Sequence, residues 1–273
     1  MPLTALALVL LAAVLHASWN LVVKASRDRL VAAWMQTTMG ALLFVPVLVV
    51  QGIPVDQWQA LGASAVLHLG YSLTLVAGYD RGDLSVVYPV ARGSAPILVT
   101  VGAALFLGDL PETVGVLAVV LIAGGILSMM RGAGDGVPWA LACGGFIAAY
   151  TVIDGGAVRS GAGSLRYVVC LIALNAITLG AVVLATRGVR GMREALPHDA
   201  WRNGFAGAAS VIAYTLVLTA ARWAPLGLVS AVRETSVVLG ALGGWVLLHE
   251  PFGPRRIRAS VLIAVGLMVL VAA

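Results

Sequence analysis

The chain has 273 residues, 60% of them hydrophobic and 11% charged, with a formal net charge of +5. So little charge cannot keep a soluble domain dispersed, and the arginines form no basic stripe with interleaved aromatics, which argues against a nucleic-acid partner. A bilayer core takes ~20 apolar residues per spanning helix, so the length accommodates about ten spans with short loops.

Apolar runs broken by turn chemistry predict spans at 3–23, 30–50, 58–79, 84–106, 112–130, 137–157, 165–186, 201–221, 226–248 and 256–273. The first run could pass for a signal-peptide core, but it lacks a basic leading region and is read as a span. Within it His16, Asn20 and Lys24 recur every four residues beside Trp19, so they share one helix face. His68, Tyr71, Ser72 and Tyr79 make a second stripe on the third span. Aromatic and polar groups together suit a polar-headed organic solute, although packing accounts for the same pattern.

The fourth span places Ser85, Tyr88, Pro89, Arg92 and Pro96 on one face. Tyr150 and Asp154 share a face of the sixth, where Asp154 is read as a solvated terminus or an arginine partner. The longest loop, 187–200, carries Arg187, Arg190 and Arg193. The ninth span holds Ser230, Arg233, Val237 and Gly240 in a row, and Glu234 is the one acidic residue well inside a span. Asp109 and Glu250 stand just before proline-containing turns and are expected to cap the helices that follow. Cys143 and Cys170 lie in apolar runs without CxxC spacing and read as packing residues. Four scattered histidines offer no metal spacing, and no P-loop, dinucleotide fingerprint or nucleophile elbow occurs.

A shift of 141 residues lays the second half on the first. It places Arg92 on Arg233, Arg81 on Arg222, Leu98 on Leu239 and Asp109 on Glu250. In the first helix of each half Trp19 falls on Tyr150 at a shift of 131, so about ten residues entered later, at the long loop before residue 201. The expected fold is an all-α integral membrane protein, ten transmembrane helices as two five-helix repeats, 1–131 and 137–273. Five is odd, so the second repeat enters from the opposite face, an inverted arrangement with the site at the repeat interface.

HASWNLVVK at 16–24, YPVARGSAPILVTVGAALFLGD at 88–109 and its second copy SAVRETSVVLGALGGWVLLHE at 230–250 resemble the drug/metabolite transporter superfamily, in its ten-helix EamA-type branch. The resemblance covers nearly the whole chain. It implies secondary transport of small metabolites, amino acids or drugs, often outward, in a bacterial inner membrane. The chain departs from the family pattern at Gln36, where an arginine is usual, and at Val237, the counterpart of Pro96. Loops after odd-numbered spans carry twelve basic residues against three after even-numbered ones, which favours termini outside the cytoplasm. The resemblance implies cytoplasmic termini instead.

A charge at mid-bilayer costs from ~2.5 kcal/mol upward, so the intramembrane arginines are expected to face a partner or a polar cavity. The function expected is alternating-access transport of a small metabolite or amino-acid-like solute, without a cofactor or metal and with protons as the candidate coupling ion. The expected substrate-binding residues are Arg92, Tyr88, Trp19, Asn20, His16, His68, Tyr71 and Tyr150. Glu234, Arg233 and Lys24 are expected to couple or gate. A guanidinium fork matches a carboxylate or phosphate; the plainer reading of both arginines is that they tie helices together through backbone carbonyls or Glu234. The competing function is a membrane enzyme acting on a lipid phosphate, for which Glu234 is the lone candidate base. The partners expected are a small-molecule solute and the lipid bilayer, with the chain a monomer or weak homo-oligomer.

Overall fold

The computed structural model describes residues 1–24, 26, 28–82, 84–128, 134–195, 200–239 and 254–272. It is all helical among the described residues: α1 (Leu3–Lys24), α2 (Arg29–Gln51), α3 (Trp58–Arg81), α4 (Leu84–Leu107) and α5 (Thr113–Leu127) form the first half. The second half comprises α6 (Val137–Arg159), α7 (Ser164–Ala195), α8 (Ala200–Ala220), α9 (Leu226–Arg233) and α10 (Pro254–Ala272). Seven of these helices are long and apolar enough to cross a membrane, and α5 and α10 supply shorter apolar stretches. Large side chains such as Leu42, Phe106 and Ile177 cover the outer surface, where lipid meets them. The protein is a multi-pass membrane protein.

The packing repeats the sequence symmetry. Exchanging each helix for the one five places along maps most of the larger helix contacts onto one another. α1 packs on α8 as α6 packs on α3, and α4 packs on α6 as α9 packs on α1. Contacts α2–α7, α4–α9 and α5–α10 map onto themselves, so these three crossings lie on the pseudo-two-fold axis. The arginine-bearing helices α4 and α9 therefore meet at the axis, where a duplicated fold places its site. Their approach depends on Gly227, since a Cβ there would collide with the Thr100 side chain and stand 3.2 Å from its Cα.

Two predicted boundaries shift. Helix α7 continues through 187–195 instead of ending in a loop, with a break at Gly188, whose φ of 67° lies in the region glycine favours. The extension has a tertiary cause: Met192 packs against the buried cluster of Val31 and Met35 of α2 with Val183, and Arg187 Nε meets Asp28 Oδ2 at 2.7 Å. The ninth span is not one continuous helix. Helix α9 ends at Arg233, and a turn at 234–235 precedes a further helical stretch from 236 to 239. The remainder of that span, including Gly240 and Glu250, lies outside the described residues.

Asp28 also caps α2, accepting from Leu30 N at 3.1 Å and Val31 N at 3.2 Å. Partial burial pushes its carboxyl up, but the Arg187 hydrogen bond, those backbone donors and the Arg187 charge outweigh it and hold the group below the ordinary aspartate value. A depressed folded value means that this contribution to stability is present above the unfolded value of ~3.9. It is lost as pH falls through the lower folded value. In Arg187→Gln the Asp28 titration followed by carboxyl NMR is expected to move up. Gly227→Val is expected to lower the thermal midpoint in detergent, at a cost of about 1–3 kcal/mol from overpacking. Gly124→Val is the control, because a side chain there meets open space.

Candidate functional site

Elementary geometry sets adjacent helical residues about 100° apart, which would aim Arg233 and Glu234 in different directions. The turn at Glu234 changes this. Its N–H is shared between the carbonyls of Ser230 and Ala231, at 3.2 and 3.1 Å, and Thr235 N bonds Val232 O at 3.1 Å. The ladder thus tightens from i−4 to i−3 just after Arg233. Helix α4 is interrupted at the equivalent place by another device. Pro96 has no N–H to give to the carbonyl of Arg92 four residues earlier, so that acceptor loses its helical partner. Each arginine therefore sits at a weakened point of its own helix.

The two arginines converge on one carboxylate. Arg92 Nε lies 2.6 Å from Glu234 Oε2, an ion contact whose N–H does not point along the line to the oxygen. Arg233 donates from Nε and Nη2 to Glu234 Oε1, both at 3.2 Å. All three side chains are buried, and Glu234 is fully so. Arg92 Nη2 also donates to His16 Nε2 at 3.1 Å. A guanidinium has no acceptor, so Nε2 must be the bare nitrogen of the imidazole and His16 is neutral in this contact.

His16 carries the rest of the α1 face into the site. Its ring stands edge-on to Trp19 with centroids 4.8 Å apart. Asn20 Nδ2 donates to the His16 carbonyl at 2.8 Å, so part of that amide is spent within α1. Trp19 Nε1 is buried with no partner, a free donor in a place where an unmade hydrogen bond costs about 1–3 kcal/mol. Lys24 closes α1, but its side chain lies outside the described residues, as do those of Tyr79 and Ser85.

An aromatic group adjoins the charges. His68 stacks on Tyr150 at 3.8 Å and 24°, while Tyr71 and Tyr214 stand edge-on to Tyr150 at 6.2 and 6.4 Å. Tyr71, Tyr88 and Tyr150 all lie close enough to Arg92 to act on its charge. The structure therefore gathers His16, Trp19, Asn20, His68, Tyr71, Tyr88, Arg92, Tyr150, Arg233 and Glu234 from α1, α3, α4, α6 and the α9 segment into one region. Tyr214 of α8 belongs to it and was not singled out from sequence; the one charge of its helix, Arg202, lies twelve residues away and does not mark it.

Two carboxylates depart from expectation. Asp154 is no solvated terminus: it is fully buried and accepts from Tyr167 Oη at 2.7 Å and from Tyr214 Oη. The last turn of α6 is covered by α7 and α8, which the position of Asp154 near the end of its span does not reveal. Asp109 does cap a helix, but a different one. It accepts from Leu226 N at the start of α9 at 2.8 Å, across the repeat interface, instead of from α5. Arg159 Nη1 meets the same oxygen at 2.9 Å and spends Nε and Nη2 on the carbonyls of Ala221 and Ala224. This knot ties the ends of α4 and α6 to the α8–α9 turn at one face of the bundle. At the other end Arg81 of α3 lies over the Trp139 ring of α6 at 4.7 Å.

Comparison with known proteins follows the same division of the chain. The sequence model of the EamA-like transporter family matches twice, over residues 3–131 and 135–272. Comparison with curated proteins gives no match. A solved crystal structure is similar over 100% of this chain and 98% of its own, with a TM-score of 0.80 and 15% sequence identity, a likeness of fold.

Removing one partner of a buried ion pair typically costs about 3–5 kcal/mol, because the other charge is left uncompensated. Glu234→Ala strands two guanidiniums and is expected to lower the thermal midpoint in detergent accordingly. Replacing Arg92, Arg233 and Glu234 together by methionine is expected to recover most of the loss. No recovery would mean that packing, not stranded charge, explains the single variant.

Proposed function

The chain belongs to the EamA-like transporter family, membrane transporters of the drug/metabolite transporter superfamily, and on that premise we propose a secondary active exporter of a small solute bearing an anionic group. The solute is amino-acid-like or a comparable small metabolite, the mechanism is alternating access, and the location is a bacterial inner membrane. The observation that carries the reading is the charge balance at the axis. Two buried guanidiniums share one carboxylate, and the other side chain bonded to Arg92 is a neutral imidazole. The cluster holds one positive charge in excess, in a place where charge costs about 2.5–3.5 kcal/mol by insertion scales. An anionic substrate group supplies the missing counter-charge.

The donors suit such a group. Arg92 binds the anion through its fork after Glu234 moves away from it, and Glu234 stays with Arg233 as the gate. Trp19 Nε1 offers a further donor with no protein partner. Tyr71, Tyr88, Tyr150 and His68 give the solute an apolar body contact with polar tips. Interrupted helices at both arginines let α4 and α9 change local shape without breaking long regular ladders, which matches the use of discontinuous helices at transporter sites. Opening at the α9 end requires release of the Asp109–Arg159–Leu226 knot.

A ligand screen by thermal shift on purified protein, against amino acids, organic phosphates, nucleosides and cationic drugs, tests this. Anionic or zwitterionic solutes are expected to raise the midpoint, following RT ln(1 + [L]/Kd). Arg92→Ala is expected to weaken binding at least tenfold, about 1.4 kcal/mol, with Arg92→Lys intermediate. Shifts that survive unchanged in both Arg92→Ala and Arg233→Ala, or that come only from cationic solutes, would overturn the assignment.

A further inference from the structure

The arginine cluster leaves one buried acid without a role. Asp154 lies on α6 four residues beyond Tyr150, and its exposure is 0%. Tyr167 of α7 and Tyr214 of α8 donate to its two oxygens, one each. Ser64 of α3 adjoins it as a third hydroxyl. Several charged and titratable groups on the packed elements hold other partners. Arg159 on the same helix is bound to Asp109, Arg92 of α4 and the Arg233 terminus of α9 are bound to Glu234, and His68 of α3 bonds Ser64. Among the described residues no cation lies within ion-pairing distance of Asp154.

That environment differs in kind from the one around Glu234. A guanidinium can only donate, so a proton placed on Glu234 would find no acceptor in either arginine. Tyrosine and serine hydroxyls both donate and accept, so the hydroxyls around Asp154 can turn and stay bonded whether the acid carries a proton or not. On α3, Ser64 is linked in turn to a histidine. His68 is only partly buried, and its Nδ1 lies 2.9 Å from the carbonyl of Ser64 and 3.2 Å from Ser64 Oγ. The carbonyl can only accept, so Nδ1 carries the hydrogen and the Ser64 hydroxyl proton is free to point to Asp154. At the offset of 131 residues Asp154 stands opposite Val23, so the acid belongs to the second repeat alone.

We propose that Asp154 is the proton-binding site of this transporter, separate from the arginine cluster and reached through His68 and Ser64. This rests on the reading of the chain as a coupled transporter. Tyr150 is the link between the two centres: its ring stacks on His68 and meets Tyr214, and it lies near both Arg92 and Arg233. Loading the proton turns the Tyr214 hydroxyl, and the aromatic group that contacts the solute repacks with it.

Infrared difference spectra of the full-length protein in detergent, recorded between pairs of pH values, test the site with protons as the only probe. A protonated-carboxyl band is expected to titrate, to shift with 13C-labelled aspartate, to survive Glu234→Gln and to vanish in Asp154→Asn. In Asp154→Glu the band should return without sensitivity to the aspartate label, which keeps the test decisive should the asparagine variant fail to fold. Tyr214→Phe, with one donor fewer, should retain the band and move its midpoint. No titrating band in the wild type, a band lost in Glu234→Gln, or one that stays aspartate-sensitive in Asp154→Glu would overturn the proposal. A titrating Asp154 band in a protein that no solute stabilises would count against the solute site alone.

Discussion

One carboxylate holds the two halves of this protein at their axis. Glu234 touches Arg92 from the first repeat and Arg233 from the second, with all three side chains buried. In a lipid environment neither arginine can be left alone, so the position of α4 against the α9 segment is tied to this contact. The cluster is also under-compensated, since two guanidiniums draw on a single acid. A structure held by an incomplete set of charges at its centre is one that a suitable anion can reorganise.

The rest of the architecture makes that centre deformable while keeping the periphery regular. Helices α1, α2, α3 and α6 run without interruption around it, apart from Pro46 within α2. The two axial elements are weakened near their arginines, α4 by the hydrogen bond missing at Pro96 and the α9 segment by the i−3 turn at Glu234. Duplication of a unit accounts for the two weak points falling at matching places, although their chemistry differs. Close to one end of the bundle, Asp109 and Arg159 fasten the start of α9 to α4 and α6. The segment that carries Arg233 and Glu234 is therefore clamped at its first residue and loosened eight residues later.

Polar chemistry in the interior is sorted into two neighbouring regions by the kind of partner available. Around Arg92 the partners are acceptors, the Glu234 carboxylate and the bare imidazole nitrogen of His16. Around Asp154 the partners are hydroxyls, which can donate or accept. Tyr150 touches the histidine and tyrosine of the second region while facing the arginines of the first. Fold likeness at 15% identity carries none of this side-chain detail, which belongs to this chain.

Much of this was legible in the residues themselves. Apolar run lengths determine the number of crossings, because the bilayer fixes how many residues a helix needs. The 141-residue shift pairs Arg92 with Arg233, and the odd number of helices per repeat inverts the second half. Helix periodicity groups His16 with Asn20 and Tyr88 with Arg92, since neighbours at three and four share a face. Tertiary structure alone decided the partners. Whether Glu234 meets Arg92, Arg233 or both depends on a turn that the helical spacing of the ninth span does not announce. Asp154 is buried because α7 and α8 cover the last turn of α6, and Asp109 caps α9 because that helix start, not α5, reaches its carboxylate. Sequence spacing reports directions along one helix; the distance between helices far apart in the chain is set by packing, and apart from the local Arg233–Glu234 pair these contacts are of that kind.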